Sequence, residues 1–263
     1  MENLLGQHPN KKGNGQWLNC TDHKMDGKAH RELYEKEGTR DNAIEMISDW
    51  LIKHHLSEQK QSRLKKMYSK YGYDEIYKNL KPFPTSDKTK KGNCTEIVLA
   101  EYLMQVTDFK LLVFKLRYNP NIDQSMKGDD VLLLNPNNLK EKIIVGEAKF
   151  RKTPTKAVLD EIVESFENSN YLPISLPFIA EIVSNEGNDQ LSEAIEELQA
   201  QLYKMNTPVL NIGFLLSNHN TANNVNRYEK KSGSNLIFIS LGVTDCEKII
   251  VDSYEKSIEK LMS

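Results

Sequence analysis

The hydrophobic positions of the first ninety residues recur at helical spacing. Ile44, Ile47 and Leu51 follow one another in this way, and Asp41 stands where a helix N-cap is expected. A second segment with the same rhythm covers residues 57–71. The pattern therefore predicts an N-terminal helical region over residues 1–90.

A different pattern begins at residue 91, after a loop interrupted by two prolines. Apolar runs bounded by turn residues predict strands at residues 111–118, 130–135, 142–150, 208–217 and 236–243. Amphipathic segments predict helices at residues 93–106, 155–169, 189–205 and 254–262. This order, in which a helix and three strands precede a further helix and strand, predicts an α/β domain over residues 91–263. Its mixed sheet should be flanked by helices.

Composition is that of an ordinary globular protein. Of the 263 residues, 38% are hydrophobic and 27% are charged, and the mean hydropathy is −0.59. No apolar run approaches the roughly 18 residues that cross a bilayer, and the N-terminus lacks the apolar core of a signal peptide. The three cysteines lie far apart, which favours a reducing compartment. We therefore expect a cytoplasmic protein without a membrane partner.

Charge is balanced overall, at a net −2, but it is unevenly distributed. Residues 60–91 contain ten basic and three acidic side chains, whereas residues 155–205 contain ten acidic and two basic ones. Both segments are compatible with solvated helix faces. The sharper interpretation places nucleic-acid phosphates on the basic segment and a partner protein on the acidic one.

The helix expected at residues 93–106 carries two glutamates on different faces. Glu96 shares its side with Leu99 and Leu103, whereas Glu101 lies about 140° away and should be solvated. A buried carboxylate needs a partner or a metal. Glu96 is therefore a candidate ligand, although a carboxylate near a helix N-terminus is also stabilised by the helix dipole alone.

Two charged residues interrupt the apolar strand expected at residues 142–150. Because side chains alternate along a strand, Glu147 and Lys149 project side by side from the face that Val145 also occupies. The Glu-x-Lys string by itself is weak, since it recurs at residues 229–231. The two interpretations are a cross-strand ion pair and a catalytic pair.

A third acidic position opens the preceding strand, where Asp129 and Asp130 follow Gly128. Asp130 alternates in phase with Leu132 and is the better candidate, whereas Asp129 could belong to the turn. Carboxylates that converge from a helix and two strands make an oxygen-rich site of the kind that Mg²⁺ prefers. A bound divalent cation can polarise a phosphodiester and lower the pKa of a bound water.

These residues resemble the PD-(D/E)xK nuclease superfamily over roughly residues 93–243. The resemblance implies that Asp130 is the acidic residue of the second core strand and that Glu147 and Lys149 form the (D/E)xK pair of the third. Glu96 matches a glutamate that many members contribute from the first helix. The implied fold is a restriction-endonuclease-like core.

The resemblance also implies the chemistry. The metal ligands would be Glu96, Asp130 and Glu147, holding Mg²⁺ or Mn²⁺, and Lys149 would complete the catalytic residues. The proline that usually precedes the aspartate is replaced by Asp129, so which aspartate is the ligand stays open. The implied activity is that of a metal-dependent endonuclease.

A closer resemblance is to the HamA family, the effector subunits of the two-gene Hachiman anti-phage systems. It is carried by PTSDKTKKGNCTEIVLAEYL at residues 84–103, followed by GDDVLLLN and IIVGEAKF. This resemblance implies a bacterial DNase whose substrate is DNA and which is restrained by a superfamily 2 helicase subunit, HamB.

Two alternative functions stay open from the sequence. The chain could be a non-catalytic DNA-binding or adaptor subunit of a helicase complex, or a restriction endonuclease that recognises a specific sequence. Cys20, His23 and His30 resemble half of a zinc site, but further ligands are not evident. The segment Asn218-His219-Asn220 is expected to be a polar loop rather than a phosphate contact.

Overall fold

A computed structural model of the chain describes residues 2–25, 28–73, 76–77, 80–204, 207–218, 221–228 and 236–263. Its centre is a six-stranded mixed sheet with the strand order β1-β2-β6-β5-β4-β3. The strands are β1 (Leu18–Met25), β2 (Lys28–Glu35), β3 (Val131–Leu134), β4 (Ile143–Phe150), β5 (Val209–Ser217) and β6 (Leu236–Gly242). β2, β6, β5 and β4 run parallel, and β1 and β3 pair antiparallel at the two edges.

Helices cover both faces of this sheet. They are α1 (Glu2–Leu5), α2 (Arg40–His55), α3 (Glu58–Tyr71), α4 (Asp87–Val106), α5 (Lys156–Asn168), α6 (Leu176–Asn185), α7 (Asp189–Leu202), α8 (Ala222–Asn226) and α9 (Cys246–Met262). One hydrophobic core joins α2, α4 and α9 to the sheet, and a second joins α5, α6 and α7 to it. Alternate residues of β4 serve the two cores, since Ile144 belongs to the first and Ile143 and Val145 to the second. The predicted α/β architecture, a mixed sheet flanked by helices, is therefore confirmed.

The N-terminal region is not purely helical, contrary to the sequence prediction. β1 and β2 form a hairpin, and β2 extends the sheet by pairing with β6, with Ala29 opposite Ile237. Both strands lie at the margin of the sheet and carry mostly polar residues, so their apolar signal is weak. Long-range pairing, which a local pattern does not report, makes them strands.

The predicted division at residue 90 does not coincide with a break in the structure. α4 begins at Asp87, four residues after the buried Phe83, and continues through residues 90 and 91 without interruption. The larger core contains Leu51 from the N-terminal segment together with Leu99 and Ile212 from the rest of the chain.

The segment at residues 111–118 is not a strand, which corrects a second prediction. A single bridge joins Lys110 to Leu134, and the chain then turns into a 3₁₀ helix at Lys115–Tyr118. Its apolar residues favour a strand locally, but the bend seats Val113 and Leu116 in the cores instead. The same bend directs Lys115 towards the start of β3, where its Nζ donates to the Asp129 carbonyl oxygen at 2.9 Å.

Candidate functional site

The β3–β4 pair positions the carboxylates of the candidate site. The two strands are antiparallel with Val131 opposite Gly146, so the next residues along, Asp130 and Glu147, lie at the same end of the pair. Asp130 Oδ2 accepts a hydrogen bond from the backbone N–H of Ala148 at 2.8 Å. The aspartate that opens β3 is thereby held against the strand that carries Glu147.

Asp129 has a different role from Asp130. Its Oδ2 accepts hydrogen bonds from the backbone N–H groups of Ile174 and Ser175 at 2.9 and 2.8 Å, just before α6 begins. Burial raises the pKa of the Asp129 carboxyl, and these hydrogen bonds act against that rise. Gly128, at a φ of +117°, turns the chain here, and a Cβ on it would lie 2.6 Å from Ser175 Oγ. The geometry therefore favours Asp130 over Asp129 as the site carboxylate.

Glu147 and Lys149 contact each other directly. Lys149 Nζ donates to Glu147 Oε1 at 2.5 Å, within the same strand and not across strands. Burial lowers the pKa of Lys149, but the hydrogen bond and the charge of Glu147 outweigh burial, and the net shift is upward. The Lys149 side chain is therefore a persistent ammonium beside a carboxylate.

Glu96 reaches the site from α4, and a lysine that the sequence reasoning missed accompanies it. Lys115 Nζ forms an ion pair with Glu96 Oε2 at 2.8 Å, and the two side chains are only 19% and 14% exposed. Burial lowers the pKa of Lys115, but the charges of Glu96 and Asp130 raise it by more. The signal was present in the sequence, because Lys115 interrupts the apolar run LLVFKL.

Asp130 is the carboxyl group of the candidate site that its charged neighbours affect most. Burial is the largest cause of a rise in the Asp130 pKa to about 8, and the negative charges of Glu96 and Glu147 add to it. Lys115 acts in the opposite direction. With Asp130 protonated, Glu96 and Glu147 balance Lys115 and Lys149, whereas an ionised Asp130 would leave one excess negative charge that a divalent cation would compensate.

The donor set fits a hard cation in its chemistry, although its atoms are not gathered as ligands. Carboxylate oxygens are what Mg²⁺ prefers. Within the described ranges, however, no group of three or more His, Cys, Asp and Glu side chains is close enough together to hold a metal ion. Glu96 and Glu147 are each turned towards a lysine instead. Metal binding at Glu96, Asp130 and Glu147 would thus require these ion pairs to open.

A second charged network lies beside a cavity that Glu96, Lys115 and Asp130 line. Glu101 is buried, which corrects the expectation that it is solvated, and it accepts from Lys53 Nζ at 2.9 Å. Its other neighbour is His54 Nε2, at 2.8 Å. The face of α4 that carries Glu101 packs against the end of α2, and helical geometry within one element does not show that contact. His54 lines the cavity together with Glu96 and Lys115.

The weaker candidates from the sequence do not form sites in the described parts of the chain. His23 and His30 stack with ring centroids 5.1 Å apart. Both ring nitrogens of His30 are engaged, with Asn226 Oδ1 and Ser240 Oγ, each at 2.8 Å. Asn218 Oδ1 accepts from the Cys246 N–H, whereas His219 and Asn220 lie outside the described residues.

Comparison with known proteins identifies the family. The family model described as HamA matches residues 14–257, most of the chain. The chain belongs to the HamA family. A relative from Bacillus cereus, named Hachiman protein HamA, is 43% identical over 248 residues, which cover 93% of this chain and 90% of the relative. The match includes the strands, helices and 3₁₀ helix that carry the candidate site. No helix in the described residues is both long and apolar enough to span a membrane.

Proposed function

We propose that this protein is a Mg²⁺-dependent DNA endonuclease, with Mn²⁺ as an alternative metal, and the effector of an anti-phage defence complex. The observation that carries the proposal is the partly buried position of Asp130, which lines one cavity with Glu96 and is hydrogen-bonded to the strand that carries Glu147 and Lys149. Glu96 and Glu147 are paired with lysines, but Asp130 has no ion pair among the described residues, so a divalent cation would supply the missing partner of its ionised form. The PD-(D/E)xK resemblance assigns roles to the same residues and so supports the proposal.

The protein residues have separate tasks in this reaction. Asp130 is fixed by the Ala148 N–H, and Glu96 and Glu147 would complete the ligand set for the metal. When bound, the metal supplies charge stabilisation and activates water. Lys149 is a poor general base because its pKa is raised, so its ammonium orients the water or stabilises charge that develops on the phosphate.

The proposed partner is a superfamily 2 helicase subunit, HamB-like, that restrains the nuclease until it meets foreign or damaged DNA. Family membership and the relative's name support a place in a Hachiman system. The net charge of −2 is consistent with weak DNA binding by the isolated chain, because phosphate contacts supply most non-specific affinity.

A cleavage assay tests the proposal. We expect plasmid and linear DNA to be cut with Mg²⁺ or Mn²⁺ and not with EDTA, either by the chain alone or after activation by its helicase partner. Glu147→Ala and Lys149→Ala should each reduce the rate at least about 100-fold, the usual scale for losing a group that acts on the transition state. Circular dichroism should show that both variants are folded.

Glu141→Ala is the matched control, because Glu141 is exposed and precedes the opposite end of β4. It should cut at the wild-type rate. Full activity in both site variants, or cutting that persists in EDTA, would contradict the proposal. A ladder of unique ends would instead indicate a sequence-specific restriction endonuclease.

A non-catalytic adaptor is the second candidate, and one observation favours it. Glu96 and Glu147 are each neutralised by a lysine, at 2.8 and 2.5 Å, so the site can be held together without a metal. An adaptor of this kind would bind the helicase and DNA but would not cut DNA in any metal. The Glu147→Ala variant would then retain the full function of the complex.

A further inference from the structure

Lys115 occupies an unusual place in the candidate site. Its ammonium lies 2.8 Å from Glu96 Oε2 and 2.9 Å from the Asp129 carbonyl oxygen. An ammonium needs acceptors at such distances, and a divalent cation uses the same kinds of oxygen. The side chain arrives from the 3₁₀ helix at Lys115–Tyr118, an element separate from the strands that carry Asp130 and Glu147.

The position of Lys115 is held by its surroundings. Val113 and Leu116, on either side of it, are buried. The side chain of Arg117 donates twice to the Lys53 carbonyl oxygen at the end of α2, at 3.0 and 2.7 Å. These contacts hold the backbone in place on both sides of Lys115. The Lys115 side chain therefore extends towards the carboxylates from a fixed position.

We propose that the Lys115 ammonium is a tethered counter-ion that fills the cation position next to Glu96, and that a divalent cation binds only when this ammonium leaves. The inference rests on the proposed function, because it concerns the same carboxylates. Two cations on Glu96 Oε2 repel each other, so a metal ion that takes this oxygen displaces the ammonium.

The counter-ion has two consequences for the molecule. It stabilises the fold without metal, since Glu96 and Asp130 would otherwise be buried with less compensating charge. It also raises the metal concentration that the site requires. Once displaced from Glu96, the ammonium remains close to the site and can contact an anionic phosphate oxygen of the substrate.

Metal binding without DNA tests the inference independently of cleavage. Mn²⁺ is titrated into the full chain by calorimetry, and the midpoint of thermal unfolding is followed in parallel. Lys115→Met keeps the apolar stem and removes the charge. We expect it to bind Mn²⁺ about tenfold more tightly than wild type, because one competing positive charge is gone. In EDTA its unfolding midpoint should fall, and Mn²⁺ should restore it.

Two further variants make the result specific. Lys127 lines the same cavity, is exposed, and has no ion pair within the described part of the chain, so Lys127→Met should leave Mn²⁺ affinity within about twofold of wild type. Lys115→Arg keeps the positive charge and should bind Mn²⁺ no more tightly than wild type. If Lys115→Met does not fold, Mn²⁺ affinity is compared between Lys115→Arg and wild type instead.

The three outcomes separate this inference from the proposed function. If Lys115→Met binds Mn²⁺ as wild type does, or more weakly, the counter-ion inference is overturned and the metal site stands. If neither wild type nor the variant binds Mn²⁺, the metal site itself fails and both proposals fall. Tighter binding in Lys115→Met alone supports both.

Discussion

At the scale of single residues, Asp130 carries the largest electrostatic cost of ionisation in the candidate site. It is partly buried, its carboxyl accepts one hydrogen bond from the Ala148 N–H, and the charges of Glu96 and Glu147 act on it. Burial and repulsion together raise its pKa to about 8. An ionised Asp130 would destabilise the metal-free fold, a cost that the proposed metal would offset.

Replacing this carboxyl with an amide should stabilise the metal-free protein. Asp130→Asn removes the repulsion and leaves an oxygen that can accept from the Ala148 N–H. We expect the free energy of unfolding in EDTA to rise by about 1–3 kcal/mol at pH 7, an amount below the full pKa shift because nearby lysines and water compensate. The measurement is chemical denaturation of both proteins.

The contribution of Asp130 to the free energy of unfolding depends on pH. Between about pH 4 and pH 8 the folded protein keeps a proton on Asp130 that the unfolded chain releases, so this group lowers stability as the pH rises. The advantage of Asp130→Asn should therefore grow from about pH 5 to about pH 8. Mg²⁺ should stabilise the wild type and not the variant. A variant that is less stable than wild type in EDTA would contradict this account.

Among the elements, the contact between α4 and β4 determines how close Glu96 comes to the strands. Gly146 allows that contact, because a Cβ on it would lie 2.8 Å from Leu99 Cδ2 and 3.0 Å from Val131 Cβ. The helix is held against the strand pair three residues after Glu96. Glycine here serves close packing and not a special backbone angle.

Two glycine substitutions should have opposite effects. Gly146→Ala introduces overlap with packed side chains and should destabilise the fold by about 1–3 kcal/mol, with a loss of cleavage because α4 is displaced. Gly92 lies inside α4 with open space around its Cα, so Gly92→Ala should stabilise the helix by about 0.5–1 kcal/mol. Thermal unfolding and cleavage rates measure both. Equal stability of the two variants would show that the close approach does not matter.

At the scale of the whole molecule, exposed basic side chains are concentrated on one helix, α3. α3 is anchored by Leu64 and Tyr68, which are buried, and Ser57 caps its start by accepting from the Lys60 N–H. Its outer surface carries a set of exposed basic side chains, the α3 basic face: Lys60, Arg63, Lys65, Lys66 and Lys70. The sequence-based expectation that phosphates bind the basic segment therefore has a defined surface to test.

We expect the α3 basic face to contribute to DNA binding. The combined substitution of Lys65, Lys66 and Lys70 by Gln should weaken duplex binding and reduce the slope of log K against log salt by about 0.9 for each phosphate that is no longer neutralised. Lys140→Gln is the control, because Lys140 is exposed in the turn after β3, away from Asp130. Unchanged affinity and slope in the triple variant would assign DNA binding to another surface.

The site candidates could be found from sequence because each breaks a local rule. Glu147 and Lys149 are charges in an apolar strand, and Glu96 is a charge on the inner side of a helix. The same rule applies to Lys115, but the apolar residues around it predict a strand, and the strand prediction does not single out this lysine. The burial of Glu101 could not be predicted from its own helix, because α2, an element distant in sequence, covers it.

The sequence by itself determined most helices, the strands β3 to β6, and the carboxylates and lysine that the site would use, because periodicity and buried charge are local signals. Only the tertiary structure decided that β1 and β2 join the sheet and that Lys115 pairs with Glu96. It also decided that Asp129 accepts hydrogen bonds at the start of α6, whereas Asp130 accepts one from Ala148 in β4. Those outcomes depend on which distant segments meet, and the meeting is set by long-range pairing and packing that no single stretch of residues encodes.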